Sequence, residues 1–246
     1  MAKKNRAQIG IIDVACVIHS DGYDWQYVQN LHDALPRALP QGFRFHVYTE
    51  HHRSVPPHMI KHCLEDWPGI GGRKRSWWYK MHLFNSEHHA GPLLYFDLDV
   101  VLVRPVDWIA SLSPEYLWTC RDFRYLQKAS AASVNSSVMW FDTRKFDWLW
   151  QKFHKQNIMD VVKQFPGDQD YIQHAVDHNQ RRFFEDRFFQ SYRWQVQQGG
   201  FDFRRRQHTK PQQPDTVSGD CAVVVFHGQP KPHQLPPGEL RQLWGG

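Results

Sequence analysis

This sequence of 246 residues lacks paired cysteines and long apolar runs. Its four cysteines lie far apart with no Cys-x-x-Cys pair, which excludes a zinc knuckle and a disulfide framework. No segment approaches the roughly 20 apolar residues that a membrane-spanning helix needs. Asp13 interrupts the apolar run of residues 9–18 and no small-residue cleavage site follows, so we expect a strand there and not a signal peptide. A reducing cytoplasm fits these absences best.

Internal repeats are absent too, and we expect a single domain over residues 1–246. The net charge is +5 before any of the 16 histidines is counted. Such a balance favours anionic partners, namely nucleic acid, anionic lipid or phosphorylated small molecules, without choosing among them. Peripheral contact with the inner face of a membrane is compatible with this charge, although no amphipathic helix stands out.

Strand-like and helix-like segments alternate at the start of the chain. Residues 9–18 and 43–49 are apolar strand candidates, and residues 23–39 between them carry apolar side chains at helical spacing. Asp24 can cap this helix, and Pro36 is expected to end or bend it. This β-α-β opening predicts an α/β fold with a parallel sheet covered by helices.

The remaining pattern continues the alternation. Residues 58–67 fit either a helix or a strand, and residues 93–103 read as one central parallel strand, since they are almost continuously apolar. We expect helices at 77–88, 108–112, 146–162 and 168–176, strands at 116–119, 138–141 and 221–226, and an irregular loop at 195–218.

Two aspartates interrupt the most apolar segment of the chain, the run from Tyr95 to Val103. An unpaired carboxylate is costly inside an apolar strand, so we expect Asp97 and Asp99 where the strand emerges at a sheet edge, sharing a cation. Mn²⁺ and Mg²⁺ prefer oxygen ligands and keep coordination positions for phosphate oxygens. An isolated Asp-x-Asp is more often an ordinary strand end, and the metal site therefore depends on the other motifs.

A histidine and a lysine follow the last apolar run, in Phe226-His227-Gly228-Gln229-Pro230-Lys231. A histidine leaving a buried strand can be a nitrogen ligand, and a lysine four residues later can reach a phosphate. A surface or capping role is the common alternative for such a histidine. Combined with Asp97 and Asp99, His227 completes a ligand set for Mn²⁺, with a diphosphate filling the shell.

Four motifs occur in order: Phe96-Asp97-Leu98-Asp99, Asn135-Ser136-Ser137-Val138, Gly167-Asp168-Gln169-Asp170 and His227-Gly228-Gln229-Pro230-Lys231-Pro232. The ordered set resembles the retaining glycosyltransferases of the glycogenin and bacterial lipopolysaccharide galactosyltransferase type (family 8-like). The resemblance spans nearly the whole chain. It implies a GT-A-type nucleotide-sugar-binding fold, with a mixed, mainly parallel sheet flanked by helices.

The resemblance also implies roles for individual residues. Asp97, Asp99 and His227 are expected to bind Mn²⁺, or Mg²⁺ in its place. Asp168 and Gln169 are expected at the reacting face of the sugar. The donor-binding set consists of Lys80, Asp97, Leu98, Asn135, Ser136, Gly228 and Lys231, with the nucleotide base near Val17 and Ile18.

The activity implied is Mn²⁺-dependent transfer of a hexose from a nucleoside diphosphate sugar, with UDP as the expected nucleotide, to an acceptor hydroxyl with retention of configuration. Such transfer would serve cell-surface glycan synthesis. Gln169 is a poor nucleophile, so front-face attack by the acceptor stands beside a covalent intermediate. The acceptor is left open among a saccharide, a lipid-linked glycan and a protein.

Two other functions compete with this one. A nucleic-acid-binding protein would use the three arginines at 204–206 and their aromatic neighbours, but a short basic loop is usually just solvated, and we expect no nucleic-acid partner. A protein that binds nucleotide sugar without turnover is the second alternative, because Ser137 stands where the family has glycine. Asp168 and Asp170 also fit a helix N-terminus that places acids against its dipole.

Overall fold

The computed structural model describes residues 10–71, 75–126, 133–197, 201–202, 207–208 and 217–245. The strands of this part are β1 (Ile12–Val17), β2 (Phe43–Thr49), β3 (Ile60–Cys63), β4 (Pro92–Phe96), β5 (Val100–Leu102), β6 (Leu117–Arg121), β7 (Val134–Asp142), β8 (Arg181–Phe183), β9 (Phe189–Ser191), β10 (Phe201–Asp202), β11 (Gln207–His208) and β12 (Val223–Val225). The α-helices are α1 (Trp25–Ala38), α2 (Thr143–His154), α3 (Ile158–Gln164), α4 (Asp168–Ala175) and α5 (Glu239–Gly245).

A seven-stranded sheet with the order β3-β2-β1-β4-β7-β6-β8 lies at the centre. Its pairs are parallel except β4 with β7 and β6 with β7, which are antiparallel. A smaller sheet has the order β5-β12-β9, and β10 pairs with β11. The predicted α/β class, with a mixed and mainly parallel sheet, is therefore confirmed.

Helix α1 forms as its sequence predicts. The Asp24 side chain accepts a hydrogen bond from the Gln26 amide and caps the first turn. Val28, Leu31 and Leu35 lie on one face of the helix and are buried. Pro36 lies within the last turn, and the helix ends two residues after it at Ala38.

Buried side chains cover both faces of the large sheet. One cluster joins the β1 residues Val14 and Cys16 to α1, α5 and the small sheet. The other joins Ala15 and Tyr48 to α2, α4 and a 3-10 helix at Ser76–Phe84. The helix predicted at 77–88 is thus a 3-10 helix that ends earlier. None of the helices in the described residues has the length and apolar character that a membrane crossing requires.

The prediction of one strand over residues 93–103 is wrong. β4 ends at Phe96, and β5 begins at Val100 in the small sheet, where it pairs antiparallel with β12. The Asp97 amide donates to the Ser137 carbonyl at 2.8 Å, and the Phe226 amide donates to the Asp99 carbonyl at 3.0 Å. Between these two hydrogen bonds the chain leaves the large sheet and enters the small one. The apolar pattern could not show the break, because both halves are buried.

The helix predicted over 146–162 is also wrong, since it consists of α2 and α3. The Asn157 side chain accepts from the Met159 amide and caps α3, which a residue inside a continuous helix could not do. The helix at 168–176 matches α4, and the final strand shortens to β12. Within the predicted loop 195–218, residues 204–206 and most of the rest lie outside the described residues.

Candidate functional site

A cavity of about 1260 Å³ opens at the carboxyl ends of β1 and β4. Val17 at the end of β1 and the turn that follows β4 form one part of its wall, and the residues after β12 form another. Ligands of open α/β sheets gather at this edge, because the chain there leaves the sheet in loops. Of the predicted donor-binding residues, five line the cavity: Lys80, Asp97, Leu98, Gly228 and Lys231.

Asp97 follows directly after β4 and is held by two partners through its Oδ1 atom. The Tyr95 hydroxyl donates to it at 2.6 Å, and the Lys80 ammonium lies 2.8 Å away. Tyr95 and Asp97 lie two residues apart, a spacing that places side chains on the same face of a strand. The Asp97 side chain keeps 18% of its surface exposed toward solvent. The carboxylate is therefore oriented but accessible.

Lys80 is a buried cation that pairs with two carboxylates, those of Asp97 and Asp168. Its Nζ atom lies 3.6 Å from Oδ2 of Asp168 and donates to the Ser136 hydroxyl at 3.2 Å. Burial alone would lower the pKa of Lys80, but Asp168 and Asp97 outweigh it and hold that pKa above its ordinary value. Lys80 is therefore charged at neutral pH.

Asp168 lies behind Lys80 at the start of α4 and is only 4% exposed. Its Oδ2 accepts a 2.6 Å hydrogen bond from Ser136. Burial raises the pKa of Asp168, and the Lys80 charge opposes that rise. In this structure Asp168 holds Lys80 in place and does not line the cavity.

An irregularity in β7 places Ser136 beside Lys80. The pairing of β6 with β7 shifts register between Thr119 and Cys120, and such a bulge re-aims the side chains of the longer strand. The Asn135 carboxamide turns back and accepts from the Ser137 amide at 3.0 Å. This segment therefore supports the site through two contacts. The Ser136 hydroxyl forms hydrogen bonds with Lys80 and Asp168, and the Ser137 carbonyl accepts a hydrogen bond from the Asp97 amide.

Asp99 is the more deeply buried of the two motif aspartates, with 6% of its surface exposed. Its Oδ2 accepts a hydrogen bond from the Tyr23 hydroxyl at 2.7 Å and forms an ion pair with Lys231, which in turn donates to Tyr23 at 3.0 Å. Burial raises the pKa of Asp99, and the Lys231 charge opposes it. Lys231 is thus the counter-ion of Asp99 in this structure.

The residues around this edge suit a divalent cation. Among the five charged groups described above, Asp97, Asp99 and Asp168 oppose the two ammonium groups of Lys80 and Lys231, which leaves one net negative charge for this group. The contacts described above use one oxygen each of Asp97 and Asp99, so within the described residues the other oxygen of each remains for a metal. Oxygen ligands are those that Mn²⁺ and Mg²⁺ prefer.

His227 is not brought together with the two aspartates. Its Nε2 shares a 2.6 Å hydrogen bond with the Ser191 hydroxyl, and its ring lies between Phe123 and Trp194 at centroid distances of 5.6 and 4.4 Å. Burial lowers the pKa of His227 to about 4, so the ring is neutral at pH 7. Among the described residues, the group of three ligand side chains with atoms within 4.8 Å of one another lies elsewhere, at Asp13, His46 and His89.

Of the remaining predicted residues, Gln169, Asn135 and Ile18 do not line the cavity, whereas Gly228 does. Gln169 is partly exposed in the first turn of α4, beside Asp168. Asn135 lies in β7 below the site, and Ile18 is buried next to Val17. Gly228 lines the cavity with a φ of +81°, a left-handed conformation that favours glycine.

Sequence reasoning missed Tyr23, Tyr95 and Ser191. Tyr95 could have been found, because the strand period places it on the same face as Asp97. Tyr23 reaches Asp99 across 76 positions, and Ser191 reaches His227 across 36. No local pattern reports contacts of that separation.

No protein-family model matches this sequence, and no curated protein matches it. Solved structures do match. An active-site mutant of LgtC, in which a glutamine is replaced by glutamate, superimposes with a TM-score of 0.62 at 16% identity, covering 94% of each chain. The galactosyltransferase LgtC in complex with donor and acceptor sugar analogs gives 0.61 at 17%, covering 90% of this chain and 89% of that one.

A third match is the glycosyltransferase GlyE in Streptococcus pneumoniae TIGR4, with a TM-score of 0.60 at 15% identity. It covers 96% of this chain and 59% of GlyE, so the chain spans little more than half of that protein. Identities at this level establish the fold. The chain therefore has the GT-A-type fold of LgtC and other glycosyltransferases, as the resemblance of its motifs predicted.

Proposed function

We propose that this protein is a Mn²⁺-dependent, retaining glycosyltransferase that transfers a hexose from a UDP-sugar to an acceptor hydroxyl. The observation that carries the proposal is the arrangement of Asp97 and Asp99 with Lys80 and Lys231 around one cavity. Two carboxylates and two ammonium groups at the carboxyl edge of a sheet suit a metal diphosphate. LgtC, which has this fold, was crystallised with donor and acceptor sugar analogs, which supports the same substrate classes here.

Asp97 and Asp99 are the proposed metal ligands, through the oxygens that face away from their lysines. Mn²⁺ or Mg²⁺ bound there would supply positive charge for the leaving diphosphate. His227 remains the proposed third ligand, and it would have to leave Ser191 to bind a metal with Asp97 and Asp99. Gly228 and Lys231 form the turn proposed to hold the diphosphate, since both line the cavity.

Transfer breaks the bond between the anomeric carbon and the diphosphate oxygen, forms a bond from that carbon to the acceptor oxygen, and moves the proton of the acceptor hydroxyl to the leaving diphosphate. Negative charge grows on the leaving oxygen, and Lys80 and Lys231 are preorganised cations at the cavity wall. Asp168 is too enclosed to meet the sugar in this conformation, whereas Gln169 is partly exposed beside it. We therefore place Gln169 at the reacting face and Asp168 behind it, and the front-face and covalent routes both stay open.

The acceptor class is proposed from the chemistry of the transfer alone, which requires a hydroxyl group. A saccharide, a lipid-linked glycan or a protein could each present the hydroxyl, and the basic charge balance is compatible with a cytoplasmic protein that meets the inner membrane face. A role in cell-surface glycan synthesis is the biological setting that we propose.

A screen of nucleotide sugars for thermal stabilisation tests this function. We expect the matching UDP-sugar at about 100 times its Kd, with Mn²⁺, to add about 2.7 kcal/mol to the free energy of unfolding. For a chain of this length that corresponds to a rise in melting temperature of roughly 5–10 °C. The nucleotide without metal should give little shift, because the diphosphate would then face Asp97 and Asp99 directly.

The screen also separates the competing functions. Stabilisation followed by slow hydrolysis of the donor indicates a transferase, and stabilisation without any hydrolysis or transfer indicates binding without turnover. If no nucleotide sugar stabilises the protein with Mn²⁺ and a generic oligonucleotide binds in a salt-sensitive manner, the nucleic-acid function is the better account.

Replacing Lys231 by methionine should change metal and nucleotide affinity in opposite directions. Without nucleotide, Lys231 neutralises Asp99 and competes with a cation there, so Lys231→Met should tighten Mn²⁺ binding by roughly 3- to 10-fold. With Mn²⁺ present, UDP should bind about 10- to 100-fold more weakly, because a charge-assisted contact to the diphosphate is lost. Calorimetric titration of Mn²⁺ alone, and then of UDP with Mn²⁺, measures both.

Lys145→Met is the matched control, since the Lys145 side chain is 58% exposed and pairs with surface Glu115 at 3.4 Å. It should leave both affinities unchanged. A Lys231→Met protein that loses affinity for Mn²⁺ and UDP together would contradict the proposal that Lys231 competes with a cation at Asp99 and binds the diphosphate once the metal is present.

A further inference from the structure

A second group of potential metal ligands lies at the opposite end of the sheet. Asp13 is near the start of β1, His46 is in β2, and His89 is in the turn before β4. The Nε2 atom of His46 lies 2.9 Å from Oδ1 of Asp13, and Nε2 of His89 lies 3.9 Å from Oδ2. All three ligand atoms lie within 4.8 Å of one another, a spacing from which small side-chain adjustments bring all three to one ion.

The three side chains are held in place and shielded from solvent. Asp13 is 8% exposed and His46 is 4% exposed, and the His89 side chain retains 10%. The Nδ1 atom of His46 shares a 2.9 Å hydrogen bond with Nε2 of His62, whose ring stacks on Tyr48. A metal-binding histidine normally has its second ring nitrogen engaged in this way, which orients the ring and selects the tautomer.

This group is separate from the proposed donor site. Asp13 precedes Val17, the β1 residue that lines the cavity, by four positions, or about 13 Å along a strand. The donor site offers carboxylates and ammonium groups, whereas this one offers two imidazoles and one carboxylate. Imidazole nitrogen favours Zn²⁺ and related first-row ions over Mg²⁺ and Mn²⁺.

Arg44 competes with a cation at this position. Its guanidinium donates to both oxygens of Asp13, with Nε and Nη2 each at 2.6 Å. The Arg44 side chain is 59% exposed, so solvent screens its charge and it can turn outward without being buried unpaired. The competition gives the site a testable property, because removing Arg44 should strengthen metal binding while removing a histidine weakens it.

We propose that Asp13, His46 and His89 form a binding site for a zinc-type divalent ion, with solvent completing its coordination. The ion would join β1, β2 and the turn before β4, and would stabilise this end of the sheet. The proposal does not depend on the transferase function, because none of the three residues lines the donor cavity.

Zinc binding to tag-free protein, measured by equilibrium dialysis and metal analysis, tests the proposal. The background should be Cys63→Ser, since Cys63 is the exposed thiol among the four cysteines and could bind zinc by itself. We expect one Zn²⁺ per chain, retained when Asp97→Asn and Asp99→Asn are combined. His46→Gln with His89→Gln should weaken binding at least 100-fold, and Arg44→Gln should tighten it about 10-fold.

His178→Gln is the matched control, because His178 is exposed, and it should change nothing. Equal zinc binding by the wild type and the double histidine variant would assign the ion to surface histidines and overturn the proposal. Absence of zinc binding at micromolar concentration would do the same. Substitution of Co²⁺ into the wild type provides a readout that needs no variant, since four- or five-coordinate Co²⁺ with nitrogen and oxygen ligands absorbs far more strongly in the visible than hexaaqua Co²⁺, whose band is weak.

Discussion

Replacing Asp97 by asparagine is expected to lower sugar transfer, and donor hydrolysis without acceptor, by on the order of 10²–10³-fold. Asp97 is the more exposed aspartate of the motif, so it is the carboxylate that a metal diphosphate can reach first. Asparagine keeps the size and one oxygen but removes the charge. Transfer assays with UDP-sugar and Mn²⁺ measure the loss, and calorimetry should show that Mn²⁺-dependent binding of UDP is weakened as well.

The variant should remain folded, because Lys80 keeps Asp168 as a partner at 3.6 Å. Circular dichroism and urea unfolding check this directly. Asp177→Asn makes the same chemical change at an exposed position and should leave activity unaltered. Turnover of Asp97→Asn at the wild-type rate would remove the basis of the proposed mechanism. Salt-sensitive oligonucleotide binding that survives Asp99→Ala would instead support the nucleic-acid alternative.

Replacing His82 by phenylalanine is expected to remove one contribution of about 2 kcal/mol to the acid sensitivity of the fold. His82 is fully buried between the rings of Trp67 and Trp150, each 4.7 Å away, and in the described residues neither of its ring nitrogens has a hydrogen-bond partner. Burial, together with nearby His88 and His154, lowers the pKa of His82 to about 3.

The sign of the effect follows from proton uptake. Below its ordinary pKa of about 6.5, the unfolded chain protonates this histidine, while the folded protein keeps it neutral down to about pH 3. The stability that His82 contributes is therefore present above pH 6.5 and is lost as the pH falls toward 3. At pH 5 the loss is about 2 kcal/mol for this residue.

Urea unfolding at pH 7.5 and pH 5.0, in the presence of EDTA, measures the prediction. The difference in the free energy of unfolding between the two pH values should be about 2 kcal/mol smaller in His82→Phe than in the wild type. Phenylalanine keeps an aromatic ring among the same neighbours and leaves no unpaired nitrogen, which offsets the cost of its larger ring, so stability at pH 7.5 should change little. His178→Gln, at an exposed position, should keep the wild-type pH dependence. An identical pH dependence in His82→Phe would show that His82 is not the group that titrates.

Much of the fold was predictable because its signals are local. The period of apolar residues and the Asp24 cap located α1, and the apolar run of residues 43–49 located β2 with the bounds that the structure has. The order of strands and helices gave the α/β class. The two wrong elements have different causes. The break within 93–103 is made by distant partners and leaves both halves buried, whereas the break between α2 and α3 lies at the exposed polar residues 154–157, where the Asn157 cap is a local signal that the prediction did not use.

The candidate site likewise has residues that the sequence predicted and contacts that it did not. Asp97, Asp99, Gly228 and Lys231 were found from motifs, and all four line one cavity. The pairing inside that cavity was not predictable, since Lys231 meets Asp99 across 132 positions. The position of His227, bonded to Ser191 and packed between aromatic rings, depends equally on residues far along the chain.

The sequence by itself determined the α/β class, the motif residues and their placement at strand ends, because these follow from periodicity and from the cost of burying charge. The tertiary structure alone decided which carboxylate meets which lysine, where the chain changes sheets, and that Asp13, His46 and His89 converge at the far edge. The physical reason is that local patterns report burial and conformation, whereas ion pairs and ligand groups depend on distances between side chains that only the assembled sheet brings together.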